Sequence, residues 1–329
     1  MLAILFHLFD PIRSFFAPSF KIYWLYLLSS GIITCFFLLW QKITKKDFRY
    51  AEYTDRNLSK KIWLHPSAIL DYKYFFVNTI LFALYFGYFV LSTTTVSAFV
   101  SNHLNSWFGR SDLGSPSGYS FLILYSILFW LANDFGRFLA HLLLHRTFLW
   151  EFHKLHHSAE VLNPLTVYRV HPVEGILVNS LGALFSGIVT GIAVFLFPNG
   201  IRMITFLGVN AGIFIFNLYA NLRHSHIDIR FPKWLSHILL SPAQHQIHHS
   251  TDIRLQNKNI GVTFAFWDIL SGSLYIPSEE ENRNLVFGLN EDEKEKEEFK
   301  SLVWIYLLPF KKLLIDAPVK KFFRKPKTR

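Results

Sequence analysis

Long stretches without a charged side chain alternate with short polar ones along this 329-residue chain. Crossing a bilayer takes about 20 residues at roughly 1.5 Å rise each. Four uncharged stretches are long enough: Ile22 to Trp40, Tyr74 to Val100, Gly175 to Ile201 and Met203 to Leu222. A fifth, Gly118 to Asn133, is shorter, but it runs into DFGRFLAHLLLH, a polar and helix-compatible segment that would carry the same helix out of the membrane. Pro198-Asn199-Gly200 is a turn signal between the third and fourth stretches, so these two are expected to form a helical hairpin. The pattern predicts a multi-pass membrane protein of about five apolar segments.

Composition supports this, because 51% hydrophobic and 18% aromatic content is too apolar for an ordinary soluble fold. The net charge of +10 does not point to nucleic acid. Its lysines and arginines flank the apolar runs and fill the C-terminal tail, where anionic lipid headgroups are the natural partner. The single cysteine, Cys35, rules out a disulfide framework within the chain and any cysteine-built metal site. Met1 to Phe9 has no basic start and no cleavage site after it, so it is read as an amphipathic entry segment.

Orientation follows from the distribution of basic residues. Lys42, Lys45, Lys46, Arg49, Arg56, Lys60, Lys61 and Lys73 lie between the first two apolar runs, whereas the next connection holds only Arg110 and the hairpin turn only Arg202. The basic loop is therefore expected in the cytoplasm, and with it the end of DFGRFLAHLLLH, the regions of His171 and His224, and the C-terminus. The acidic run of residues 278–299 reads as a solvated loop, SLVWIYLLPFKKLLI as interfacial, and the tail KKFFRKPKTR as a contact with anionic lipid.

Histidines carry the chemistry: of 15 in the chain, 12 lie between His141 and His249. In HLLLH, His141 and His145 share one helix face at a spacing that lets both reach one ion. In HKLHH, His153 shares a face with His156 and His157, while the adjacent pair diverges by about 100° and can address two ions. HQIHH repeats this form with His245, His248 and His249. One HxxxH is weak evidence of metal, since a satisfied structural histidine is commoner. Three such sets on one membrane face are strong evidence, because neutral imidazoles there would each need partners and charged ones would repel. His224 and His171 are further candidates for ligands or outer hydrogen-bond partners, and His226 is a weaker one. Asp134, two turns before His141, is placed to accept an imidazole N–H. Glu151, Glu174 and Asp268 are weaker carboxylate candidates, and His7, His65, His103 and His237 are not assigned to the site.

Eight or more nitrogen ligands suit a pair of ions, and iron, unlike zinc, changes oxidation state. No HExxH supplies a protease base, and the clusters sit at the ends of spans instead of inside them. A zinc-dependent membrane hydrolase or a metal-handling membrane protein is therefore the lesser alternative.

The succession HLLLH, HKLHH, HQIHH, with HPVE between the second and third and WDILSGS after the last, resembles the fatty acid hydroxylase/sterol desaturase superfamily over about residues 118–276. The resemblance implies an all-α membrane helix bundle with a cytoplasmic helical cap holding a dimetal site. On that basis 1–117 would be N-terminal membrane segments with the basic loop, 118–276 the catalytic region, and 277–329 an appended tail. It assigns His141, His145, His153, His156, His157, His245, His248 and His249 as metal ligands and adds weight to His224. It implies two iron ions and O2 as co-substrate, with hydroxylation or desaturation of a lipid C–H position. Electrons would come from a separate small haem protein or ferredoxin with its reductase, because His65-Pro66 is followed by Ser67-Ala68 and not by the HPGG of fused haem domains.

Overall fold

The computed structural model describes residues 7–45, 48–111, 113–114, 118–198, 200–291 and 293–316. Lys46, Asn199, the first six residues of the entry segment and the basic tail lie outside them.

The chain is an all-α membrane bundle. Nine helices position the site: α1 (Trp24–Thr44), α2 (Pro66–Leu84), α3 (Thr93–Phe108), α4 (Tyr119–Arg146), α5 (Trp150–His157), α6 (Pro172–Leu196), α7 (Ala211–Ala220), α8 (Pro242–His248) and α9 (Leu302–Lys311). Among the described residues, α1, α2, α4 and α6 are long and apolar enough to cross a membrane. Both α2 and α6 begin at a His-Pro pair. His65 and His171 are the N-caps, each accepting a backbone N–H two residues on, and proline follows at the first helical position, where its missing donor costs nothing.

Two expected spans are not single helices. Tyr74 to Val100 is broken between α2 and α3 by a 3-10 turn at Phe86–Phe89, after which Ser92 caps α3 by accepting from Thr95 N. Met203 to Leu222 is not the second arm of a helical hairpin. Its first half is a two-stranded antiparallel ribbon, Thr205–Phe206 with Val209–Asn210, turned by Leu207 and Gly208 at positive φ, and only α7 is helical. Absence of charge allowed a span at both places; the turn and cap residues within them decided otherwise.

Close backbone approach sets the packing of α4 against α6. A Cβ on Gly136 would lie 2.2 Å from the Leu181 carbonyl oxygen, and one on Gly191 would lie 2.6 Å from Val100 Cβ of α3. Small residues at such crossings let helices approach where lipid offers no hydrophobic drive.

The C-terminal segment is packed, not merely interfacial. Ile305 and Leu308 of α9 bury with Phe299 against Tyr74 of α2 and Leu155 of α5. The acidic run is correspondingly not a free solvated loop, since Glu295 is buried and bridges Lys154 at 2.8 Å and Lys312 at 3.0 Å. Beneath it, Arg169 pairs with Asp71 at 3.1 Å in a fully buried network that also takes Asn163 and Thr166.

Gly136→Ala should force α4 and α6 apart and cost about 1–3 kcal/mol, read as a lowered melting temperature in detergent. Gly31→Ala, where an added Cβ meets nothing within 4 Å, should leave it unchanged or raised. Equal melting of the two variants would contradict the crossing described here.

Candidate metal centre

The membrane end of the site comes from α4, which delivers His141 and His145 one turn apart, and the remaining histidines come from short segments stacked beneath. α5 supplies His153, His156 and His157; the 3-10 turn Asn221–His224 supplies His224; α8 with its C-cap supplies His245, His248 and His249. α8 starts at Pro242 behind a capping box, in which Ser241 Oγ accepts from Gln244 N and Gln244 Oε1 accepts from Ser241 N. That box fixes where the seven-residue helix begins, and so which way its histidines point.

Nine buried histidines form two groups, within each of which the candidate ligand atoms lie within 4.8 Å of one another. The first is His141, His145, His153, His157 and His248; the second is His156, His224, His245 and His249. Each adjacent pair is divided, His157 and His248 to the first group and His156 and His249 to the second. The groups touch, with the His157 and His249 rings 4.8 Å apart. Within the first, Nε2 of His141 lies 3.1 Å from that of His153 and 3.2 Å from that of His248. Within the second, Nε2 of His224 lies 3.3 Å from that of His156 and 3.2 Å from that of His245.

The outer hydrogen bonds decide what these nitrogens can hold. His141 Nδ1 donates to the Ile260 carbonyl at 2.6 Å and His248 Nδ1 to the Lys258 carbonyl at 2.9 Å. A carbonyl oxygen can only accept, so in each neutral ring the proton is on Nδ1 and the lone pair on Nε2. These two Nε2 atoms face each other with no proton between them, an arrangement that fits a shared cation. His153 Nδ1 is held in the same sense by Glu174 Oε1 at 2.8 Å. His245 is the exception. Arg223 donates to its Nδ1 at 2.7 Å, leaving the ring proton on Nε2, and an ion bound there would have to displace it.

Burial, reinforced by neighbouring imidazoles and cations, holds His153, His157, His224, His245, His248 and His249 well below the ordinary histidine range and His156 at about 3. At neutral pH these rings are in the form that binds metal.

The other candidates fall outside both groups. His171 caps α6 through Nδ1 and donates from Nε2 to the Tyr306 carbonyl at 3.3 Å, so it ties α6 to α9. His226 accepts from Leu162 N at 3.1 Å and packs on Phe287. Asp134 does not reach an imidazole: it accepts from the backbone N–H groups of Thr263 and Phe264 and from Trp267 Nε1. Asp268 acts one step further out. It accepts from Ile260 N and Gly261 N and so aims the Ile260 carbonyl at His141; burial raises its carboxyl to about 6 despite these bonds. Glu151 pairs with Lys154, and Glu174 alone of the carboxylates expected near the site touches a grouped histidine. Arg223 and Arg137 were not read as site residues from the sequence. A lone arginine in an apolar helix four residues before His141 was the available signal.

A cavity of about 880 Å³ opens onto both groups. It runs between the residues preceding α1 and the helices α2, α4 and α6, and His141, His153, His156, His224 and His245 line its inner end. Phe16, Phe20, Phe82 and Val178 make much of the remaining wall.

Lowered histidine pKa values imply an acid-labile fold. Below about pH 6.5 the unfolded chain takes up protons that the folded rings refuse, so stability falls from there toward pH 3, by roughly 1.4 kcal/mol per pH unit for each ring. Metal-free protein should therefore melt at a lower temperature at pH 5 than at pH 7.5, and a flat profile would count against a buried neutral cluster.

The Fatty acid hydroxylase family model matches residues 126–273. An ornithine lipid hydroxylase from Rhizobium tropici is 30% identical over 44% of the chain and 40% of its own length. A lathosterol oxidase from Rattus norvegicus is 28% identical over 59% of each, and a Delta(7)-sterol 5(6)-desaturase from Gibberella zeae is 29% identical over 40% of the chain and 37% of its own length. The chain thus spans between about two fifths and three fifths of these relatives. No solved structure matches it. Through the region 126–273, which carries the histidine groups, this multi-pass membrane chain is similar to the fatty acid hydroxylase/sterol desaturase superfamily.

Proposed function

We propose that this protein is a membrane-bound non-haem di-iron oxidoreductase that hydroxylates or desaturates an unactivated C–H position of a lipid. The observation that carries the reading is the pair of touching histidine groups at the inner end of a largely apolar cavity. The names of the relatives, lipid hydroxylase and sterol oxidase or desaturase, support a lipid substrate.

His141, His145, His153, His157 and His248 would hold one ion, and His156, His224, His245 and His249 the other. Two irons so held supply the oxidising power, with O2 as co-substrate and electrons from outside the chain. The protein's own contribution is orientation and exclusion. Ile260, Lys258 and Glu174 fix ring orientation and tautomer from behind. The walls of Phe16, Phe20, Phe82 and Val178 exclude water and hold an acyl chain or ring against the inner end. Where the carbon is held decides between one hydrogen removed and two, hence between hydroxylation and desaturation.

The basic loop between α1 and α2 supports a cytoplasmic location for the histidine groups and the C-terminus. An acidic electron carrier, a small haem protein or a ferredoxin, would meet that basic face.

Detergent-purified protein expressed with iron should carry about two irons per chain by plasma mass spectrometry, and a His156→Ala, His248→Ala double variant should carry almost none. One zinc per chain and no iron would sink the redox reading. Removing the carboxylate behind His153 by Glu174→Gln should weaken metal affinity about 10- to 100-fold with the fold intact, measured by competition with a chelator. Unchanged affinity would show that the His153–Glu174 bond is not part of the metal support.

A further inference from the structure

Two side chains in the cavity wall are unaccounted for by the histidine site. Lys21, partly buried just before α1, and Arg137, on α4 one turn before His141, both line the cavity. Among the described residues, neither the Lys21 ammonium nor the Arg137 guanidinium makes a hydrogen bond or ion pair, and Arg137 Nε is a buried donor without an acceptor. Arg223 lines the cavity as well, so three basic side chains converge there; burial first, and then Arg137 and Arg223, hold the Lys21 amine well below the ordinary lysine range, and an anion bound beside it would favour its protonated form.

The nearby carboxylates are occupied elsewhere. Asp10 at the cavity wall pairs with Arg13, and Glu174 holds His153 through Oε1, its buried Oε2 making no hydrogen bond to either basic group. Asp134, three residues before Arg137, is near enough for its charge to act on the guanidinium, but its oxygens accept from Thr263, Phe264 and Trp267 and make no hydrogen bond to it. Arg223 is itself held by the Val262 and Gly261 carbonyls and by His245. Ions on the histidines would add positive charge to the same end of the cavity. Basic side chains buried without a hydrogen-bonded anion are costly, and an anion bound between them would offset that cost.

Resting on the lipid-oxidising reading above, we infer that the substrate is an anionic amphiphile whose carboxylate or phosphate is bound by Lys21 and Arg137, with its tail along the apolar wall. A guanidinium fork suits either anion. Arg137 and His141 are four residues apart on α4, which puts their Cβ atoms roughly 6 Å apart. An anionic group on Arg137 therefore brings the first few carbons beside it to the histidines, and the position oxidised lies near the headgroup and not far down the tail. A neutral sterol, with one hydroxyl, would leave the pair of cations unmatched.

The test is calorimetric titration of metal-free protein in neutral maltoside with oleate, oleoyl lysophosphatidate and monooleoylglycerol. At least one of the two anions should bind about tenfold or more tighter than the neutral lipid. A Lys21→Gln, Arg137→Gln double variant should lose that preference while binding monooleoylglycerol within about twofold of wild type, and Lys21→Arg with Arg137→Lys should keep most of it. Lys233→Gln, an exposed control, should change nothing. Preference for oleate alone assigns a carboxylate, and for lysophosphatidate alone a phosphate. The neutral double variant should melt no lower than wild type, because it removes unpaired buried charge. Lower melting would show that the cations serve the fold, and with it the inference falls. It falls equally if wild type shows no anion preference or if the double variant retains one. Iron content separates the two readings: anion preference without iron would sink the oxidase and spare the anion site, and two irons without anion preference the reverse.

Discussion

Lone pairs of neutral imidazoles, crowded within 4.8 Å in two buried groups, are the constraint on which the rest of the structure depends. Charged rings would repel one another in a buried site, and His141, His153 and His248, held with Nδ1–H outward, have no proton to share between their Nε2 atoms. Such nitrogens fit shared cations, and the surrounding hydrogen bonds keep them aimed. Carbonyls of Ile260 and Lys258, a carboxylate behind His153, and the capping box before α8 each remove one freedom from a ring.

Two of the buried acids organise backbone and a third ties side chains together. Asp134 gathers the N–H groups of residues 263 and 264, Asp268 those of 260 and 261, and Asp71 ties α2 to Arg169 and Thr166. The first two sets of contacts tie down the irregular chain after α8, whose carbonyls orient His141 and His248. The C-terminal segment extends the same logic: Lys154, on the helix that carries three grouped histidines, is pinned by Glu295 and Glu151.

Much of this could be read in the sequence. The nine histidines expected to act together are the nine the fold gathers, because i, i+4 spacing on short helices fixes which rings share a face and an i, i+1 pair must diverge. The similarity to the fatty acid hydroxylase family and the all-α membrane class were legible from the boxes and the apolar runs. Asp134 misled: two turns before His141 is the correct face, yet its partners come from residues about 130 positions away, which no local spacing reveals. Tyr74 to Val100 and Met203 to Leu222 misled because hydropathy reports transfer into lipid and is blind to a Ser92 cap or a Leu207-Gly208 turn. Lys21 and Arg137 were visible as charges, but their convergence depends on how the segment before α1 folds over α4.

The division of His156 from His157, and of His248 from His249, has a consequence for how this region can change over generations. Each short helix feeds both groups, so inserting or deleting one residue ahead of either box within its helix would rotate the rings by about 100° and send each to the wrong neighbour. α5 and α8 therefore behave as fixed-length keys. Lipid-facing helices can drift in composition and the loops can lengthen, while these two segments admit substitution but no change of count.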